Sequence, residues 1–371
     1  MSFEALLKKV RESKDADLPF VIYRKPDDKV VNAIIQNDKR LEYSDDFLGT
    51  GFIMAPFNEN ERAVLFAEEN SNKFRCVISE DEYTPINESK NQVQERSESA
   101  SKAQHLKLVK KGIERIQNGD FIKTVLSRSE IVAIETLDVT VVFKRLMSTY
   151  QSAFVYVWFH PEIGLWAGAS PETLLKTKGD SFHTMALAGT QKYEDTVEVS
   201  WGDKESTEQQ IVTDHIVDSL DSLKPMVSET YTKKAGNLLH LCTDITGRLQ
   251  GNSSLKDLIG KLHPTAAVCG LPRNEVRNFI LKEEGYSRSF YTGFLGELNI
   301  ADAHAAAPKT THENLIESSF FVNLRCMQLY EGHDSKAVIY VGGGITIDSD
   351  PLSEWEETVD KSLIMKRVIN A

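Results

Sequence analysis

A chain of 371 residues, 41% hydrophobic and 26% charged, has the composition of an ordinary globular protein and room for one large domain or two smaller ones. Its net charge of −12 supplies no basic stripe to neutralise phosphates, which argues against a nucleic-acid partner. No apolar run reaches the roughly 18 residues of a membrane-spanning helix, and no membrane partner is expected. Cys76, Cys242, Cys269 and Cys326 lie far apart without C-x-x-C spacing, so they read as reduced, mostly buried thiols of a cytoplasmic protein.

The first ten residues, Met1 to Val10, pattern as an amphipathic helix of mixed charge and not as a secretory signal. Strands are expected at Pro19–Arg24 and Ala63–Ala67, with exposed turns at Asp27–Lys29 and Asn58–Glu61. No chemistry is legible there, and residues 1–90 read as a strand-rich N-terminal part. Residues 86–104 are almost wholly polar and mark the predicted boundary, a linker or exposed loop. The domain expected to carry chemistry follows, over residues 105–371.

Leu106, Val109, Ile113 and Ile116 form a helical stripe that Asn118-Gly119 stops. Phe121 to Arg128 alternates as a strand, with Lys123 on the face of Phe121 and Val125. A lysine in that place is either an edge-strand gatekeeper or a desolvated amine. In the second case burial lowers its pKa and makes it a base near neutral pH. Val155–Phe159 and Leu165–Ala169 read as strands around the turn His160-Pro161-Glu162. Glu172 follows Ser170-Pro171, where it is either a loop carboxylate or a functional acid. Met185 to Thr190 is a run of small residues ending in a Gly-Thr turn, where a ligand can approach the backbone.

A helix is predicted over 204–223, with Glu205 and Glu208 three apart on one face and Glu208 one turn before the apolar Val212. Residues 236–249 read as strand and turn. His263 to Arg273 is a loop dense in Pro and Gly, in which His263 reads first as a hydrogen-bonded structural residue. Tyr291 to Glu297 carries two glycines. Phe320 to Leu329 alternates as one strand, with Arg325 on the face of Phe321, Asn323 and Met327; a buried arginine there is expected to be held by a carboxylate. Val338–Val341 runs into Gly342-Gly343-Gly344, which lacks dinucleotide-binding spacing. These glycines are expected to end a strand and offer N–H groups to an anion, with Ile345–Ile347 continuing extended. Asp350 and Pro351 start a last helix that places Glu354, Glu357 and Lys361 on one face. Two Glu-x-x-Glu pairs are either solvated acidic faces or, if they meet, an oxygen-rich pocket suited to Mg²⁺.

Taken together these stretches resemble the chorismate-utilising enzymes, the isochorismate, salicylate, anthranilate and aminodeoxychorismate synthases. The resemblance rests on Lys123–Arg128, Ala169–Glu172, Leu187–Thr190, Lys204–Glu208, His263–Thr265, Tyr291–Gly296, Leu324–Cys326, Gly342–Ile345 and Glu354–Lys361, in the family's order over about 105–365. It implies an α+β fold of large, mostly antiparallel sheets packed face to face with helices outside. It also implies catalysis by Lys123, which activates water, and Glu172, which protonates the departing hydroxyl. Ala188, Gly189, Thr190, His263 and Val268 are implied in substrate binding, as are Tyr291, Arg325, Gly342, Gly343 and Lys361. Glu205, Glu208, Glu354 and Glu357 are implied as Mg²⁺ residues, Glu208 and Glu357 being the direct ligands.

Lys123 together with the small Ala188 resembles the water-using isochorismate synthases, which convert chorismate to isochorismate. A salicylate synthase, which goes on to eliminate pyruvate, is the alternative; an ammonia-using enzyme is a more remote one. A monomer without a glutaminase subunit is expected. Gln209, Ala266 and Cys269 depart from the family pattern, where His, Pro and a small Gly or Ser are usual. A non-catalytic chorismate-binding regulator would have lost one of Lys123, Glu172, Glu208 or Glu357. A phosphoryl-transfer enzyme would carry a phosphate loop, which this sequence lacks.

Overall fold

A computed structural model describes residues 1–79, 82, 98–194, 196–235, 238–251, 253–301 and 316–370. In chain order, α1 (Phe3–Asp15) precedes six strands: β1 (Phe20–Arg24), β2 (Val30–Gln36), β3 (Glu42–Ser44), β4 (Gly51–Ala55), β5 (Ala63–Ala67) and β6 (Ser71–Val77). Next come α2 (Glu98–Gln117), β7 (Lys123–Ala133), α3 (Val139–Thr149), β8 (Phe154–His160), β9 (Gly164–Ser170), β10 (Thr173–Lys178) and β11 (Ser181–Lys192). The acidic helix α4 (Asp203–Leu220) leads to β12 (Met226–Val227), β13 (Tyr231–Ala235), β14 (Leu238–Arg248) and α5 (Leu255–Leu262). The last third holds β15 (Gly270–Leu271), α6 (Arg273–Glu283), β16 (Phe294–Ala301), β17 (Ile316–Val322), β18 (Cys326–Tyr330), β19 (Lys336–Ile345) and α7 (Pro351–Asn370).

Two antiparallel sheets result. One runs β15-β7-β19-β18-β9-β8-β1-β2-β6 and the other β12-β14-β11-β10-β17-β16-β4-β5-β3, with β13 paired to β14. The N-terminal strands are woven into both: β1, β2 and β6 extend the first sheet beyond β8, and β3 to β5 extend the second beyond β16. Between the sheets lies an aromatic core of Tyr23, Phe52, Phe154, Trp158, Trp166 and Phe321. Helices α1, α3 and α7 cover the outer face of the first sheet, and α4 and α5 that of the second. The fold is therefore α+β, with sheets face to face and helices outside. The four cysteines are buried and unpaired. No helix among the described residues is long and apolar enough to cross a membrane.

Three expectations of local structure need correction. Most of the polar stretch 86–104 lies outside the described residues, but 98–104 forms the first turns of α2 and is not a linker. Phe320–Leu329 is not one strand. Phe321 belongs to β17 in the second sheet and Met327 to β18 in the first, and the chain crosses between sheets at Asn323–Arg325, where Arg325 takes φ 47°. An alternating pattern cannot reveal that break, because each short strand obeys the same period on its own side. Lastly, Gly342–Gly344 lie inside β19, opposite Ser127, Leu126 and Val125 of β7, and the strand stops at Ile345 without reaching Ile347.

Candidate active site

A cavity opens where β7 and β19 of one sheet diverge from β11 and β14 of the other. Val125 and Gly342–Gly344 form one wall, and Leu187–Thr190 with His240 the opposite one. Glu172, Tyr291 and Arg325 close the sides, Val268 faces in from its loop, and Glu208, Glu357 and Lys361 enter from the two acidic helices. Most of the residues implied by the sequence thus meet in one place.

The acidic residues converge because β19 has no side chains where they arrive. Successive strand residues face opposite sides. A Cβ on Gly344 would fall 2.1 Å from Glu208 Oε1, whereas one on Gly343 would fall 3.2 Å from Glu354 Oε2 and 3.8 Å from Glu357 Oε1. One glycine therefore admits α4 on one face, and the next admits α7 on the other. The glycine run provides this close approach from within β19, not from its end. Gly189 does the same for the first turn of α4. It sits in a bulge of β11 with φ 70°, and a Cβ there would lie 3.0 Å from Glu205 Cβ.

Each of the three converging carboxylates holds a lysine. Lys123 Nζ lies 2.8 Å from Glu208 Oε1, an ion pair without a directed hydrogen bond. Lys361 Nζ lies 2.6 Å from Glu357 Oε1 and donates to the Gly342 carbonyl at 2.9 Å. Lys204 Nζ donates to Glu354 Oε1 at 2.7 Å, and Ser349 Oγ donates to the same oxygen at 2.6 Å. Lys123 is fully buried just outside the cavity lining. It is not surrounded by apolar neighbours alone: Val125 shares its face, but Phe121 turns away into the α2–α6 cluster and Glu208 stands opposite. The hydrophobic pattern of β7 could not show this, because the carboxylate arrives from α4, some 85 positions later.

Burial works to raise the Glu208 pKa, but Lys123, with Lys361 and Lys204 beyond it, outweighs burial and holds that carboxyl below its ordinary value. In Glu354 the balance is reversed. Burial and the neighbouring Glu357 charge raise its pKa despite Lys204, and its Oε2 is buried without a hydrogen bond. Hard oxygen donors, one of them unsatisfied, are the chemistry that a divalent cation such as Mg²⁺ requires. Among the described residues no three such groups are yet close enough to chelate one ion, so the donor set fits by type, with further ligands still to be supplied.

Glu172 is 2% exposed, and its pKa is pushed up to about 8 by burial, against the pull of Lys123 and Lys233. The expected rise is present, but neighbouring carboxylates are not its cause. Arg325 is held differently from expectation as well. Its partners are the Ala235 carbonyl at 2.9 Å and His240 Nε2 at 2.9 Å, not a carboxylate. Since a guanidinium only donates, Nε2 must accept, and the imidazole proton sits on Nδ1, 2.9 Å from the Gly189 carbonyl. Burial, reinforced by Arg325, lowers the His240 pKa to about 3, so the ring is neutral and its tautomer is set. A neutral acceptor leaves Arg325's charge available to an anionic ligand. His240 was visible in the sequence only as a polar residue in the apolar run Leu238–Leu241, and its importance depends on the bulge opposite.

Four implied residues do not line the cavity: Lys123, Glu205, Glu354 and His263. Lys123 and Glu354 belong to the acidic centre described above, whereas Glu205 only packs its Cβ on Gly189, its Oε2 lying beside Gly202 at the start of α4. His263 lies apart from that centre. Its Nε2 bonds the Pro56 carbonyl at 3.0 Å and its ring meets Phe294 edge-on at 5.0 Å, so it is structural and not a substrate contact. Gln209 faces inward, donating to the Ala186 carbonyl and Thr243, and Ala266 lies in the core under α5; neither departure alters the cavity chemistry.

A family model described as "Chorismate binding enzyme" matches residues 51–370. The isochorismate synthase MenF of Pasteurella multocida is 26% identical over 80% of this chain and 68% of its own length. MenF of Bacillus subtilis is 30% identical over 74% of this chain, and the match spans just over half, 56%, of the Bacillus protein. Among solved structures, a Bacillus anthracis protein assigned as a 2,3-dihydroxybenzoate-specific isochorismate synthase, DhbC, superposes with a TM-score of 0.75. It is 21% identical, with 98% of this chain and 99% of that one covered.

Proposed function

The chain belongs to the chorismate-binding enzymes, and we propose that within this family it is an isochorismate synthase, an isomerase that moves the hydroxyl of chorismate from C4 to C2. The observation that carries the reading is the pairing of a buried lysine with a buried acid of pKa about 8 at one cavity. Hydroxyl transfer needs a base to take a proton from attacking water and an acid to protonate the leaving hydroxyl. In this reading Lys123 is the base, and it must give up its own proton to solvent before it acts. Glu172 is protonated at neutral pH and donates to the C4 oxygen. Arg325, steered by neutral His240, and Lys361 bind the enolpyruvyl carboxylate, and the Tyr291 hydroxyl adds a hydrogen bond. Small side chains at Ala188 and Gly189 leave room for the ring.

Mg²⁺ would be held by Glu208 and Glu357, with Glu205 and Glu354 in support. When bound, it neutralises the ring carboxylate together with these glutamates. In the structure Lys123, Lys204 and Lys361 balance the charge of Glu208, Glu354 and Glu357. Water as nucleophile removes any need for a glutaminase subunit. Isochorismate, and not a salicylate, is taken as the end product because the MenF relatives reported above are named isochorismate synthases.

The test is to incubate the purified protein with chorismate and Mg²⁺, with and without excess EDTA and ammonium salts, and separate the products by chromatography. Isochorismate formed only with Mg²⁺ is expected. Salicylate, anthranilate or aminodeoxychorismate as main product would overturn the assignment, and full activity in EDTA would remove the metal from it.

A further inference from the structure

Behind the cavity wall, Arg288 and Glu284 form an ion pair that is almost entirely withdrawn from water, both side chains being 1% exposed. Neither lines the cavity. Burying such a pair costs desolvation that mutual attraction offsets only when the remaining hydrogen-bonding capacity is met. Here it is met in full. Arg288 Nε and Nη2 donate to the two Glu284 oxygens at 2.8 and 2.5 Å. The other three N–H groups reach the Val268 carbonyl at 2.9 Å, Thr292 Oγ1 at 3.2 Å and the Val125 carbonyl at 2.8 Å. Glu284 Oε1 also accepts from the backbone N–H and the hydroxyl of Ser127, both at 2.8 Å.

The backbone groups involved show what the pair does. β7 carries Lys123, and its outer neighbour β15 has only two residues, Gly270 and Leu271, opposite Thr124 and Lys123. One further bond, Val125 N–H to the Cys269 carbonyl at 2.8 Å, ends that pairing. Beyond it the edge of β7 would present an unpaired Val125 carbonyl and an unpaired Ser127 N–H, one acceptor and one donor in succession. Arg288 supplies the donor and Glu284 the acceptor. The same guanidinium holds the carbonyl of Val268 and the hydroxyl of Thr292, both at residues of the cavity wall.

We propose that the Arg288–Glu284 pair acts as a side-chain substitute for a missing strand segment, making both residues positioning residues that lock the edge of β7 and so fix where Lys123 meets the substrate. The proposal rests on Lys123 being the base of the reaction proposed above. Because Arg325 and Lys361 hold the substrate's charge from other elements, loosening β7 should misplace the base without releasing the substrate. Misplacement of a reacting group by about 1 Å lowers turnover by up to ~10²-fold.

The test replaces both partners with apolar residues of similar length, Arg288→Met with Glu284→Leu, which leaves no lone buried charge. Assays run well below the variant's unfolding temperature. Expected are a fall in kcat for isochorismate formation of about tenfold or more, a KM for chorismate within about threefold of the parent's, and faster amide exchange at Ser127. Should the double variant not fold, Arg288→Lys and Ser127→Ala, which each remove only part of the bonding, are measured for the same three readings. A folded variant with unchanged kcat, or one whose whole loss lies in KM, overturns the positioning role. Failure of the parent protein to make isochorismate would instead sink the functional reading, and Ser127 exchange would still test the edge lock.

Discussion

Glu208 and Glu172 face the same cavity, both largely withdrawn from water, yet they stand in opposite protonation states at neutral pH. Glu208 has Lys123 at 2.8 Å and two more lysines within electrostatic reach, which keep it ionised. Glu172 feels Lys123 and Lys233 only at a distance, and burial prevails, pushing its pKa to about 8. Burial sets a penalty of the same sign for both carboxylates; the distance to a cation decides whether the proton stays. One cavity thereby holds an anionic end and an acid end, the division of labour that hydroxyl transfer requires.

The hardest way to break this contrast is to remove the cation that creates it. Lys123→Ala should lower the rate by ~10²–10⁴-fold in both reaction directions, while chorismate binding followed by calorimetry stays largely intact through Arg325. Near-normal hydroxyl transfer in that variant would return Lys123 to a structural role and leave Glu208 as the only chemistry at that end.

Neutralising the other end tests the acid. Glu172→Gln should cost on the order of 10²-fold or more in rate, since the amide has no proton of the required acidity. The parent enzyme's rate should fall as pH rises through about 8, where Glu172 loses its proton. Stability follows the same sign. The folded-state pKa lies above the unfolded value, so the protonated carboxyl's contribution is complete below about 4.5 and is lost progressively as pH rises to about 8. Glu172→Gln cannot ionise and should therefore unfold at a higher temperature than the parent at pH 8, with little difference at pH 4. A variant less stable than the parent at pH 8 would show that folding does not raise the Glu172 pKa.

A finer comparison lies within the glycine run. Gly344→Ala places a methyl 2.1 Å from Glu208 Oε1 and should destabilise the fold by about 1–3 kcal/mol while displacing Glu208 from Lys123. Gly343→Ala meets its nearest carboxylate oxygen at 3.2 Å and should cost less than about 1 kcal/mol. Chemical denaturation of the two proteins ranks them; equal losses would mean that the glycines serve the strand rather than the carboxylates.

Much of this arrangement was legible along the chain. The Glu-x-x-Glu spacing placed each acidic pair on one helix face; Glu354 and Glu357 of α7 and Glu208 of α4 do reach β19, while the Glu205 carboxylate lies beside Gly202. Lys123 stood out as a lysine between apolar strand neighbours, an edge gatekeeper or a desolvated amine, and its full burial decides for the second. Arg325 was correctly singled out, but its partner was not, because a donor-only side chain can be met by a carbonyl and an imidazole as well as by a carboxylate. His263 misled for the opposite reason: its loop lies in the family's motif order, yet the ring turns away to Pro56. Nothing in the sequence pointed to Arg288 and Glu284. Four apart on a polar stretch, they look like a solvated pair, and their burial follows only from the short reach of β15.

The sequence alone determined the local periodicities, the residue types of the site and their order, because helix and strand periods and side-chain chemistry are properties of short segments. Tertiary structure decided which of these groups meet. Lys123 and Glu208 are 85 positions apart, Lys204 and Glu354 are 150 apart, and Arg325 and His240 are 85 apart. Contacts at such separations depend on how two sheets stack and where a strand lacks side chains. Protonation states depend in turn on those contacts. No short segment records either one, so Glu172 as acid and Glu208 as anion became distinguishable only when the sheets had closed around them.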